Sequence, residues 1–91
     1  MIQTIQIIVT GKVQGVFYRQ GTKEKARELG VTGHVENLAD GNVKIIATGT
    51  REQLDSLINW SKQGPPKAKV EKTEISDQSL QLFEKFTVIR Y

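Results

Sequence analysis

No cysteine occurs anywhere in the chain, and that absence excludes more chemistry than any residue present establishes. Thiolate nucleophiles, zinc–thiolate centres and a disulfide framework are all removed together, which fits a reducing, cytoplasmic setting. A single histidine, His34, leaves little from which to build a metal cluster or a Ser-His relay. No apolar run approaches the roughly 20 residues that span a bilayer, so no membrane association is expected. The opening "MIQTIQIIVTG" has no basic leader and Gln6 interrupts its apolar residues, which predicts a strand and not a secretion signal. Dense charge of one sign is also missing: 13 Lys and Arg stand against 10 Asp and Glu, for a net charge of +3. That balance is a mild bias towards anions, far from the tracts of a nucleic-acid arm, and the mixed signs of "KEKARE" read as a solvated helix face.

What is there suits one domain over residues 1–91, a length that buries about 60 to 70% of its unfolded surface without a metal or disulfide staple. Residues 3–10 alternate, with Ile5, Ile7 and Val9 on one face, and predict a strand. "GKVQGV" has no period and two glycines, so a loop is expected there. A helix follows from Arg19 to Leu29, with Ala26 and Leu29 as a short apolar stripe and Gly30 as its left-handed stop. Residues 31–38, "VTGHVENL", alternate again. Asp40-Gly41 then favours a tight turn into "VKIIATG". Thr50 and Gln53 have capping-box spacing ahead of Leu54, Leu57 and Ile58, predicting a second helix to about Gln63 that "GPP" ends. Strands are expected around Val70 to Ile75 and in "FEKFTVIRY". The order βαββαβ with a short extra C-terminal strand predicts a ferredoxin-like sandwich, an antiparallel sheet with both helices on one face.

The stretch "GKVQGVFYR", Gly11 to Arg19, poses the chemical question, because it sets an arginine where a helix begins. A helix N-terminus already carries about half a positive charge, so the arginine is misplaced unless an anion joins it. A glycine-containing strand-to-helix loop turns consecutive N–H groups inward as an anion nest, and Gly11 and Gly15 let the backbone come close to a ligand. Arg19 would add a planar fork for phosphate. The pattern alone is also met by glycines that merely turn the chain and an arginine that merely reaches solvent. His34 within a strand reads as a surface residue, Asp40 as turn chemistry and Trp60 as helix packing, while Asn37 is either a polar strand end or a holder of water.

"GKVQGVFYR" resembles the first signature of the acylphosphatases. The second signature is similar to "GHVENLADGNVKIIATG", where Gly33, Val35, Asn37, Gly41, Val43 and Gly49 fall at the family spacing, and "GPPKAKV", Gly64 to Val70, resembles the family segment after the second helix. The resemblance covers essentially the whole chain. It implies hydrolysis of acyl phosphates to a carboxylate and inorganic phosphate, with no metal, no cofactor and no covalent intermediate. It also implies phosphate binding by Arg19 and by the backbone of Gln14, Gly15, Val16, Phe17 and Tyr18, with water positioned by Asn37. Inorganic phosphate is the expected product and inhibitor, and a monomer is expected.

Two positions depart from the family pattern: His34 where an aromatic is usual, and Glu36 where a basic or neutral residue is usual. Strand alternation turns Glu36 away from the side of Asn37. A nucleic-acid module of related shape would stack bases on aromatics of the central strands, and "IQIIV" and "VKIIAT" contain none. A domain that binds acyl or carbamoyl phosphate without turning it over is the other alternative.

Overall fold

The structure is a computed structural model that describes residues 1–90. Tyr91, expected at the end of the last strand, lies outside the described residues. The elements are β1 (Ile2–Lys12), α1 (Tyr18–Leu29), β2 (Thr32–Asn37), β3 (Val43–Thr50), α2 (Arg51–Ser61), β4 (Lys69–Gln78) and β5 (Phe86–Ile89). They form a five-stranded sheet in the order β4-β1-β3-β2-β5. One face of it carries Ile5, Ile7, Val9, Val35, Val43, Ile45 and Ala47, all fully buried. Tyr18 and Ala26 from α1, with Leu54 and Leu57 from α2, complete that core, so both helices cover the same face. Removing a side chain such as Ile7 from water is worth roughly 1.5 to 3 kcal/mol, and the period-two pattern of β1 places three of them together.

Helix α1 starts one residue earlier than the periodicity indicated. Its buried stripe is Tyr18, Thr22 and Ala26, and Thr22 hides its polarity by donating Oγ1–H to the Tyr18 carbonyl at 2.8 Å. Gly30 closes the helix at φ 82°. Helix α2 has the expected capping box: Gln53 N–H donates to Thr50 Oγ1 at 3.2 Å, and Thr50 N–H donates to Gln53 Oε1 at 2.8 Å. It ends at Ser61, slightly short of Gln63.

Two expectations are corrected. The sheet is not wholly antiparallel, because β5 pairs with β2 in parallel, Gly33 opposite Phe86. Strand β4 runs antiparallel to β1 and so finishes at the end of the sheet where β2 begins. The chain crosses the open face there and sets off in the direction of β2. Gln81 marks the crossing, its carbonyl accepting from Thr48 Oγ1 at 2.7 Å and its N–H donating to Thr4 Oγ1 at 2.9 Å. Further along, Phe83 meets the His34 ring edge-on at 5.6 Å between centroids. The second correction concerns Gly11, which belongs to β1 at a register shift against β4. At φ 133° a Cβ there would run into the Lys69 carbonyl, so this glycine serves strand pairing and not ligand approach.

The topology brings the C-terminal ends of β1, β2 and β5 to one end of the sheet, beside the start of α1. Among the described residues, no helix is long and apolar enough to cross a membrane.

Candidate active site

The loop from Val13 to Phe17 joins β1 to α1 without a side-chain cap. Gly15 has φ 73° and Phe17 has φ 65°, ψ 25°, so two left-handed residues flank Val16. Alternating handedness of this kind turns successive N–H groups to one side. Phe17 is the only non-glycine residue with positive φ among those described, a conformation that costs about 1 kcal/mol or more. The first helical hydrogen bond runs from Gly21 N–H to the Phe17 carbonyl at 3.0 Å. The N–H groups before it have no carbonyl one turn back within the helix, and helix starts with such free donors are able to receive an anion. No acidic residue occupies the first turn.

A pocket of about 270 Å³ opens at this point, lined by Val13, Gly15, Phe17, Tyr18, Arg19, Gln20, Asn37 and Arg90. The strand end of β2 supplies Asn37 and the helix start supplies Arg19, so these two sequence candidates do share one cavity. Half-buried Arg19 reaches from α1 to the end of β5, where Nη1 donates to the Ile89 carbonyl at 3.4 Å. Guanidinium has five N–H donors in a fixed fork, and this contact orients it. Asn37 Oδ1 is buried and has no hydrogen-bond partner among the described residues. An orphaned buried amide oxygen costs about 1 to 3 kcal/mol. Asn37 follows Val35 on the helix-covered side of β2, whereas Glu36 points to the open face, 4.0 Å from Lys44 Nζ.

The other loop residues divide. Gly15 is exposed, and a Cβ built on it would meet nothing within 4 Å, so its backbone is open to a ligand. Val16 is 6% exposed and lies in the core. Tyr18 lines the pocket but is anchored below it, donating its hydroxyl to the Ser61 carbonyl at 2.7 Å. Burial pushes the Tyr18 phenol well above its ordinary value, so it stays protonated. Trp60 packs on that ring at 5.4 Å, in keeping with a packing role.

Sequence reasoning missed two contributions. Gln14 works through its side chain, Nε2 donating to the carbonyls of Leu38 and Asn42, each at 2.9 Å. This ties the loop to the β2–β3 turn, which Asp40 shapes by accepting from Asn42 N–H at 3.0 Å. Arg90 is a second cation at the pocket, delivered by the parallel β5. Nothing local to Arg90 signals its destination, because the chain crossing before β5 decides it. Among the described residues, no three His, Cys, Asp or Glu side chains come together as metal ligands. The open face of β1 and β3 presents Thr4, Gln6, Ile8, Lys44, Ile46 and Thr48, which offers no ring for base stacking.

Comparison with known proteins shows the family and the fold. The family model of the acylphosphatases matches residues 5–88. An acylphosphatase of Acaryochloris marina is 48% identical over 86 residues, covering 94% of this chain and 92% of that protein. The structure of an acylphosphatase from Coxiella burnetii superposes with a TM-score of 0.94 at 38% identity, covering 97% of this chain and 93% of that one. One from Bacillus subtilis gives a TM-score of 0.93 at 33% identity, covering 99% and 100%.

Proposed function

The chain belongs to the acylphosphatase family and is a hydrolase of acyl phosphates, and from that premise we propose how its residues divide the work. Arg19 and the backbone from Gln14 to Tyr18 bind the phosphoryl group, and Asn37 orients the attacking water. The observation that carries this division is the single cavity that Arg19, from the start of α1, and Asn37, from the end of β2, line together beside the glycine loop.

The chemistry asks little more. The leaving group is a carboxylate with a pKa of about 4 to 5, like Asp or Glu, so no general acid need protonate it. Water adds through its oxygen to phosphorus as the bond from phosphorus to the acyl oxygen breaks. An acyl phosphate dianion and water become a carboxylate and dihydrogen phosphate, both water hydrogens remaining on the phosphate. No proton has to be stored on the protein. In a loose transition state the charge spreads over the equatorial phosphoryl oxygens, where loop N–H groups and the Arg19 fork stabilise it. An amide cannot act as a base, but accepting one hydrogen bond from water aligns the attack.

Inorganic phosphate, as product, competes for the same loop. Arg19 and Asn37, the two residues given roles here, both line this pocket, so the proposed division of labour calls on no second subunit. The absence of cysteine agrees with a cytoplasmic setting. The test is hydrolysis of benzoyl phosphate with and without excess EDTA. Equal rates are expected, and loss of activity on chelation with recovery on adding a divalent ion would contradict the metal-free division of labour.

A further inference from the structure

We propose that Phe17 reads the acyl group: its exposed ring at the edge of the phosphate pocket takes an apolar, above all aromatic, acyl moiety and makes such acyl phosphates the preferred substrates. The inference rests on the acyl phosphate hydrolase reading and deepens it. Among the described residues, three with apolar side chains line the pocket, and two of those side chains are spoken for. Val13 and Tyr18 are each 1% exposed, buried in the core, whereas Phe17 is 77% exposed. An acyl group projecting from a phosphate held by the loop therefore meets bare apolar side-chain surface at Phe17.

The cost of keeping a ring there points the same way. Position 17 has φ 65°, where glycine would be unstrained. A side chain at such a position is normally offset by burial, and the Phe17 ring gains almost none. Among the described residues five other large apolar side chains are exposed, Met1, Ile2, Ile75, Leu80 and Leu82, and none of them lines this pocket. The polar lining, Arg19, Gln20, Asn37 and Arg90, is suited to phosphate, water and charge, which leaves the Phe17 ring as the exposed apolar element among the described residues. Aromatic rings pair with one another in offset or edge-to-face arrangements beyond simple area burial, so a benzoyl group gains more from Phe17 than an acetyl group does.

The contact is the same before and during phosphoryl transfer, so it acts on KM more than on kcat. The experiment compares kcat/KM for benzoyl phosphate and acetyl phosphate in the wild type, Phe17→Ala and Phe17→Leu. Both variants keep a Cβ at the left-handed position, and the substrate ratio cancels any shared damage to the loop as well as intrinsic reactivity. The benzoyl-to-acetyl ratio should fall about tenfold in Phe17→Ala, ~1.4 kcal/mol, mostly through KM, with Phe17→Leu between. An unchanged ratio, or an equal loss on both substrates, would overturn the assignment. A second measurement needs no variant: benzylphosphonate should inhibit the wild type about tenfold more tightly than methylphosphonate, and equal inhibition would also overturn it. Failure of the wild type to hydrolyse either substrate would instead remove the hydrolase reading itself, and this proposal with it.

Discussion

The side-chain amide of Gln14 donates to the backbone carbonyl of Leu38 at 2.9 Å, which ties the loop before α1 to the residue that follows Asn37. A second bond of the same length, to Asn42, makes the tie a clamp across the turn. The loop before α1 and the end of β2 are thus fixed to each other by one side chain. Gln14→Ala should lower turnover about tenfold or more, since a reacting group displaced by roughly an ångström can cost up to 10². Two lost hydrogen bonds should also cost about 1 to 3 kcal/mol of stability, a fall in Tm of several degrees in a domain of this size. Gln14→Glu should be no better, because a carboxylate cannot donate to two carbonyls. Steady-state kinetics beside a thermal melt decide it, and wild-type turnover with an unchanged melt would show the clamp to be idle.

His34 gives the fold a pH dependence of known sign. Burial lowers its pKa below the ordinary 6.5; Glu36 opposes that shift and Lys44 adds to it. Phe83 lies against the ring, and Nδ1 is buried without a partner among the described residues. The folded state therefore resists a proton that the unfolded chain accepts. Stability is complete above about pH 6.5 and is lost as pH falls from there towards the lower folded value. The Tm of the wild type should drop between about pH 7.5 and pH 5.5, and His34→Phe should flatten that window by removing the titration. A wild-type Tm that rises on acidification over this range would contradict it.

Much of this was legible in the sequence because local physics and tertiary packing agree. The alternation of Ile5, Ile7 and Val9 became the buried face of β1, and Thr50 with Gln53 became the cap of α2. Arg19 and Asn37 converge as the motifs imply. Less legible were features decided at a distance. The buried stripe of α1 begins at Tyr18 and passes through a threonine, which hides it from an apolar count. Gly11 looked like a ligand-facing glycine and instead accommodates the Lys69 carbonyl of a strand nearly sixty residues away in the chain. The parallel placement of β5, and with it Arg90, follows from a crossing pinned by Thr4 and Thr48. No pattern inside "FTVIR" could have announced it.

Arg19 is expected to serve both affinity and rate. Arg19→Ala should lower turnover by about 10³ or more, the scale for losing an arginine that stabilises transferring phosphoryl charge, and should abolish inhibition by inorganic phosphate. Arg19→Lys should recover little, because an ammonium cannot reproduce the planar fork or its orientation by the Ile89 carbonyl. Retention of more than about a tenth of wild-type activity in Arg19→Ala, a loss of only ~1.4 kcal/mol in the barrier, would remove Arg19 from the chemistry.

The division of labour between Arg19 and Asn37 is tested most directly by Asn37→Ala, with turnover of benzoyl phosphate and competitive inhibition by inorganic phosphate measured on the same preparation. Truncation removes an amide whose oxygen has no protein partner among the described residues, so the melt should move little. If the amide only holds water, turnover should fall by about 10² while the inhibition constant for phosphate stays within about twofold, well under 1 kcal/mol. Undiminished turnover in the folded variant, or phosphate binding lost with turnover intact, would contradict the account.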